Sequence, residues 1–131
     1  MIPKLLIPET RSTPEIHFDE ANGIYLIRGR SIPPDASSYF HPLDKWVENL
    51  VSVGTPRPIV LKIRLEHLNT GTIRSLLTIF SKLLRIREKG TEVSIEWYYN
   101  EEDEDLVDKG EEMSLILDVP FRYISFTEGN Y

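Results

Sequence analysis

Cysteine is absent from the 131-residue chain. That excludes a disulfide framework, a thiolate nucleophile and zinc held by sulfur, and it is compatible with a reducing compartment. Long apolar runs are absent too. The longest stretches fall far short of the ~20 residues a membrane span needs, and Met1–Pro8 holds no run of signal-peptide length. The expectation is a cytoplasmic protein with no membrane partner. Cations are outnumbered: Lys and Arg total 15 against 21 Asp and Glu, a formal charge of −6. Such a surface repels phosphate backbones, so nucleic acid is not an expected partner. Histidine is scarce, and His17, His41 and His67 fall in three separate segments with no i, i+4 zinc pair. No G-x-S-x-G elbow, Walker loop or G-x-G-x-x-G run occurs. With no nucleophile–base constellation, the expectation is a non-enzyme with no catalytic residues, no cofactor and no metal.

What is present describes one domain over 1–131. Apolar residues make up 40 % and charged residues 27 %, ordinary for a globular chain. Residues 1–14, with three prolines, read as an extended arm whose Ile2, Leu5, Leu6 and Ile7 can dock on the body. Ile16–Phe18 and Ile24–Ile27 flank Asn22-Gly23, the dipeptide suited to a tight hairpin turn. Ser31–Ser38 reads as a loop, with Asp35, Ser37 or Ser38 as a helix cap. Phe40, Leu43, Val47, Leu50 and Val51 then share a helix face, with Pro42 placed in the first turn. Ile59, Leu61, Ile63 and Leu65 alternate as a strand. Ile73, Leu76, Leu77, Phe80, Leu83 and Leu84 form the clearest amphipathic helix, and Val93, Ile95 and Trp97 a further strand. Leu106, Val107, Met113, Ile116 and Leu117 suggest a third helix behind the acidic run Glu101–Asp105, although Gly110 weakens it. Pro120–Phe126 closes as a strand, and Thr127–Tyr131 reads as a frayed tail. The predicted order is β-β-α-β-α-β-α-β, an α/β mixed sheet with an N-terminal hairpin and helices packed against it.

Leu68-Asn69-Thr70-Gly71-Thr72 is the informative segment. It lies at the C-terminal end of a buried strand and opens the strongest helix, where ligands and modifications gather in open α/β sheets. Thr70 and Thr72 would sit beside free backbone N–H groups and the positive end of the helix dipole, which favour a phosphate. Plain capping by Asn69 or Thr70 explains the same residues. The acidic run at 101–105 lacks the order of a calcium loop and reads as a solvated helix start.

Several segments, in order, carry a resemblance: Ser12-Thr13-Pro14-Glu15-Ile16, Gly29-Arg30-Ser31-Ile32-Pro33, Trp46-Val47-Glu48, Leu65–Ile73, Val93–Tyr99 and Pro120-Phe121. Together they resemble the SiaC-type regulatory phosphoproteins, bacterial proteins similar in fold to STAS-domain anti-sigma-factor antagonists. The resemblance runs from about Ile7 to Ile124 and implies a partner switch. A cognate kinase phosphorylates the threonine of the L-N-T motif, which maps onto Thr70, and a PP2C-like phosphatase reverses it. The unmodified form binds and activates a diguanylate cyclase, raising cyclic di-GMP. The chain departs from the family in having Gly71 and Thr72 where two serines are usual, His67 where an aromatic is usual, and Pro33-Pro34-Asp35-Ala36 for Pro-Glu-Asn.

The resulting expectations are a phosphorylation site at Thr70, with Thr72 second, on a protein that is a monomer or weak homo-oligomer. Its partner surface would comprise Leu68, Asn69, Thr70, Gly71, Thr72 and Arg74, with Asp35 and Ser37 beside them. A STAS-type antagonist of an anti-sigma factor is one alternative. The other is a small-ligand sensor with a pocket near Trp46, Trp97 and Tyr98.

Overall fold

The structure, a computed structural model, describes residues 2–127. Six strands and three helices alternate along most of the chain: β1 (Leu5–Ile7), β2 (Glu15–Asp19), β3 (Ile24–Ser31), α1 (Ala36–Val53), β4 (Ile59–Leu68), α2 (Thr70–Leu84), β5 (Val93–Asn100), α3 (Glu104–Leu117) and β6 (Phe121–Phe126). A 3-10 turn, Arg85–Lys89, extends α2. The strands form one mixed sheet whose spatial order is the chain order. β1, β2 and β3 pair antiparallel, and β3 to β6 pair parallel.

That order decides where the helices go. Each parallel neighbour is reached through one helix, and successive right-handed crossovers in one direction deliver every helix to the same side. α1 packs on α2, and α2 on α3. The covered side takes Ile27, Ile59, Leu61, Ile63, Ile95 and Trp97, all essentially buried. The alternate residues, among them Lys62, Arg64, Glu96 and Tyr98, line a face that no helix covers. The alternation legible in β4 is therefore the sheet's inside and outside.

The hairpin forms at the predicted turn, with Gly23 at φ 67°, left-handed backbone that glycine adopts without strain. The arm differs from expectation in part. Leu5–Ile7 is a strand paired in register with Ile16–Phe18, so the sheet has one strand more than the pattern suggested. Three residues are too few for alternation to register in a sequence. Their neighbours are held by tertiary bonds: the Trp46 indole donates to the Pro3 carbonyl at 2.7 Å, and the Tyr39 hydroxyl to the Pro14 carbonyl at 2.5 Å.

Two helix details also depart from expectation. α1 starts at Ala36, so Pro42 lies inside the helix and not in its first turn. Its ring removes the bond to the Ser38 carbonyl, and both residues are exposed, so water can satisfy that group. On α3, Leu106 and Met113 are buried as expected, but Ile116 is 68 % exposed. The residues expected in a frayed tail lie outside the described residues except Thr127, which is exposed beyond β6.

Gly110 is required where the sequence made it look like a weakness. A β-carbon there would lie 2.8 Å from Nε1 of Trp97, whose indole donates to the Leu106 carbonyl at 2.9 Å. The helix must pass this close for the indole to reach its acceptor. Gly110→Ala is therefore expected to destabilise the protein by about 1–3 kcal/mol through overpacking, against the ~0.5–1 kcal/mol gain of the same change in an unobstructed helix. Thermal denaturation checks this, and an unchanged or raised midpoint would refute the close-approach account.

Candidate functional site

The candidate site is built at the junction of β4 and α2, where a single residue separates strand from helix. Asn69 has extended backbone, φ −92° and ψ 173°, and caps α2. Its carboxamide works in two directions. Oδ1 accepts from the Thr72 amide at 2.9 Å, and Nδ2 donates to the Pro33 carbonyl at 3.0 Å. Its backbone amide donates to the Ser31 carbonyl at 3.1 Å. One asparagine thus satisfies an orphan N–H of the helix and fastens the loop after β3 to it.

The two candidate threonines have opposite environments. Thr72 is fully buried, and its hydroxyl donates to the Ser31 carbonyl at 3.1 Å. With that proton committed, the Ser31 hydroxyl donates to Thr72 Oγ1 at 2.7 Å. Thr70, the first residue of α2, is exposed, and no hydrogen bond of its side chain occurs among the described residues. The first turn of α2 carries no acidic residue, so the positive end of its dipole faces Thr70 unopposed from within the helix. Arg74, one turn on, is exposed as well.

The remaining expected residues divide between platform and surface. Leu68 is buried at 6 % exposure. A β-carbon on Gly71 would lie 3.1 Å from that of Ala36, so α1 and α2 start in close contact. This contact brings the starts of α1 and α2 together, and Ser31, read as the start of the loop, belongs to β3. Asp35 caps α1, accepting from the Ser38 amide at 3.2 Å and its hydroxyl at 2.8 Å. Ser37 is exposed beside it and lines a shallow groove between α1 and α2 with His41, Asp44, Ser75 and Thr78.

Sequence reasoning set the Ser31–Ser38 loop beside the start of α2 but did not foresee the bonds of Ser31 and Pro33 to Thr72 and Asn69. Their partners lie 41 and 36 positions away, so no local pattern signals them. The arm was also missed as a neighbour: the Ile32 amide donates to the Ser12 carbonyl at 2.8 Å. The proposed ligand aromatics do not converge. Trp46 packs edge-on against Phe18 and Tyr25, Trp97 stacks on Phe121, and Tyr98 lies on the open face under Arg64. Asp103, from the acidic run, caps α3 through the Leu106 amide at 3.2 Å. Among the described residues, no group of three His, Asp or Glu side chains is placed to hold a metal.

The structure thus presents a one-sided six-stranded α/β sheet with an exposed threonine at the start of α2, directly after the Asn69 cap. Comparison with known proteins assigns it to a family. The SiaC family regulatory phosphoprotein model matches residues 7–126. The chain belongs to the SiaC family of regulatory phosphoproteins. It is 33 % identical to an uncharacterized protein of Pseudomonas aeruginosa strain UCBPP-PA14 over 89 % of this chain and 92 % of that one. Its fold matches apo-SiaC from Pseudomonas aeruginosa with a TM-score of 0.80 and 31 % identity, covering 94 % of this chain and 98 % of that one. It matches a chain in the crystal structure of the diguanylate cyclase SiaD with its activator SiaC, from the same organism, with a TM-score of 0.84 and 32 % identity, covering 93 % and 99 %.

Two predictions concern the caps. Asn69→Ala removes both carboxamide bonds and is expected to cost about 1–3 kcal/mol, a cap loss plus an unpaired carbonyl. Asn69→Asp keeps the cap oxygen and sets a carboxylate against the Pro33 carbonyl, so urea titration should rank wild type above both variants. At α1, the Ser38 hydroxyl, and after it the Ser38 amide, hold the Asp35 carboxyl below its ordinary 3.8. A carboxyl lowered by folding stabilises the fold above its unfolded value and stops doing so as pH falls through its folded value. Thermal melts of wild type and Asp35→Asn are therefore expected to converge in strong acid and separate above it, with wild type the more stable.

Proposed function

We propose that this chain is a phosphorylation-controlled partner switch whose acceptor is Thr70 and which acts by contact, not by catalysis. The observation that carries the reading is the contrast between the threonines. Thr70 is exposed at the first position of α2, while the Thr72 hydroxyl is buried against Ser31. A kinase reaches the first without disturbing the fold and reaches the second only by opening the β3–α2 junction.

The chemistry of the switch is electrostatic. Phosphorylation adds about −1.5 to −2 charges and three strong acceptor oxygens. At the start of α2 that charge is favoured by free amides and the dipole, so the folded domain tolerates it. In an interface shaped for a neutral hydroxyl, burying an unmatched dianion costs several kcal/mol, and each ~1.4 kcal/mol is tenfold in affinity. Asn69, Gly71 and Leu68 hold the platform, while Thr70, Arg74, Asp35 and Ser37 face the partner.

The reading assigns three partners: a cognate kinase, a PP2C-like phosphatase and a diguanylate cyclase activated by the unmodified form. The cyclase assignment rests on the chain's likeness to SiaC, described as the activator of SiaD. No helix among the described residues is long and apolar enough to cross a membrane, and the proposed site of action is the cytoplasm, where kinase and cyclase meet their nucleotides.

Intact-mass and peptide mass spectrometry of protein from its native host tests the acceptor. One phosphate on Thr70, absent from Thr70→Ala, is the expected result, and phosphate confined to another residue would overturn the assignment. Calorimetric titration against the host's SiaD-type cyclase tests the output. Binding by unmodified protein and at least about tenfold weaker binding by the phosphorylated form are expected, and equal affinities would refute the switch.

A further inference from the structure

The sheet is covered on one side, and its open side differs in charge from the rest of the molecule. Register aligns Leu26, Lys62, Glu96 and Arg122 in one row across it. The next row holds Arg28, level with Arg64, and Tyr98, level with Ile124. The Arg64 guanidinium lies 4.9 Å from the centre of the Tyr98 ring. These rows bring four cations onto one face, against three carboxylates there, Glu15, Glu66 and Glu96, in a chain whose net charge is −6. Arg28 is paired with Glu15 at 2.6 Å, whereas the Arg122 side chain is 77 % exposed with its nearest carboxylate, Glu96, at 3.8 Å. Leu26 and Ile124 add half-buried apolar surface between the charges.

The outer side of α3 has the opposite character. Glu104, Asp108 and Glu111 follow one exposed stripe, with Asp105 and Glu112 beside it. The stripe ends in Leu115 and Ile116, 81 % and 68 % exposed. Neither contributes to the core, and no feature of α3 requires large apolar residues in water. The helix, with 14 residues, is about 21 Å long at 1.5 Å per residue, and the six strands, about 4.8 Å apart, span roughly 24 Å.

We propose that the open sheet face of one copy receives α3 of a second copy, acid on base and Leu115–Ile116 on the apolar positions. Charge complementarity within a single sequence points to that occupant. Seated there, α3 covers the exposed side of the sheet as the helices already cover the other. Donor and acceptor surfaces are different patches, so the contact is head-to-tail and each added copy leaves one surface open at either end. Thr70 lies on neither surface, so this association and the proposed switch stand or fall separately.

Sedimentation velocity on the full chain over a concentration series, at low and high sodium chloride, tests the contact. The expected result is a mean mass that rises with concentration past two copies and falls as salt screens the charges. Lys62→Ser with Arg122→Ser removes the acceptor surface, and Leu115→Ser with Ile116→Ser removes the donor. Each double variant alone is expected to be monomeric and folded by circular dichroism. An equimolar mixture is expected to give a one-to-one complex that grows no further, because one intact donor meets one intact acceptor. Wild type that stays monomeric, stops at two copies or ignores salt would overturn the proposal, as would either variant assembling like wild type or a mixture that remains monomeric. The wild-type salt series decides the matter even if a variant fails to fold.

Discussion

The carboxamide of Asn69 ties the start of α2 to the loop after β3. β4 ends at Leu68 and α2 begins at Thr70, so the chain must turn from sheet to helix within one residue. Asn69 makes that turn with a backbone conformation ordinary for a cap and spends both ends of its side chain on it, one on the helix and one on the loop after β3. The Ser31–Thr72 hydroxyl pair lies directly beneath. Because these polar groups are mutually satisfied, the helix start avoids the cost of about 1–3 kcal/mol that each buried unpaired amide would carry. The exposure of Thr70 follows: its neighbours do the capping, and its hydroxyl is left to the surface.

The rest of the architecture follows from the order of the strands. A sheet that adds strands in chain order has its helices on one side. The covered side then accounts for nearly all the fully buried aliphatic residues of the strands, and the open side for the charged ones. Close approaches occur where the helix layer is tightest, at Gly71 against Ala36 and at Gly110 against Trp97. Both glycines lie inside helices, where their intrinsic preference opposes the structure, and in both places the space left by a missing side chain decides the matter.

Much of this was legible in the sequence because it depends on local periodicity. Alternation in Ile59–Leu65, the helical stripe of α2 and the Asn22-Gly23 turn are short-range signals, and each marks its element correctly. The L-N-T start of α2 was legible as a cap for the same reason. The missed features depend on what lies across the fold. Leu5–Ile7 becomes a strand because β2 offers an edge. Gly110 is a packing requirement set by an indole on another element. Ser31 and Pro33 belong to the site through bonds spanning more than thirty positions. Ile116 fits the apolar count of α3, but helix rotation is fixed by Leu106 and Met113, which turn it outward.

The coincidence of sheet order with chain order also bears on how the molecule comes into being on the ribosome. Every strand from β2 onward pairs with the one made before it, and each parallel pair is closed by the helix synthesised between its members. No strand has to wait for a segment beyond the next strand to complete its ladder. The nascent chain presents one growing edge, which moves from β3 to β6 as synthesis proceeds. A domain built in this way can acquire its core in register with elongation, N-terminal portion first. β6 follows α3 in the chain and pairs with β5, so the α3 corner is completed after the Thr70 junction.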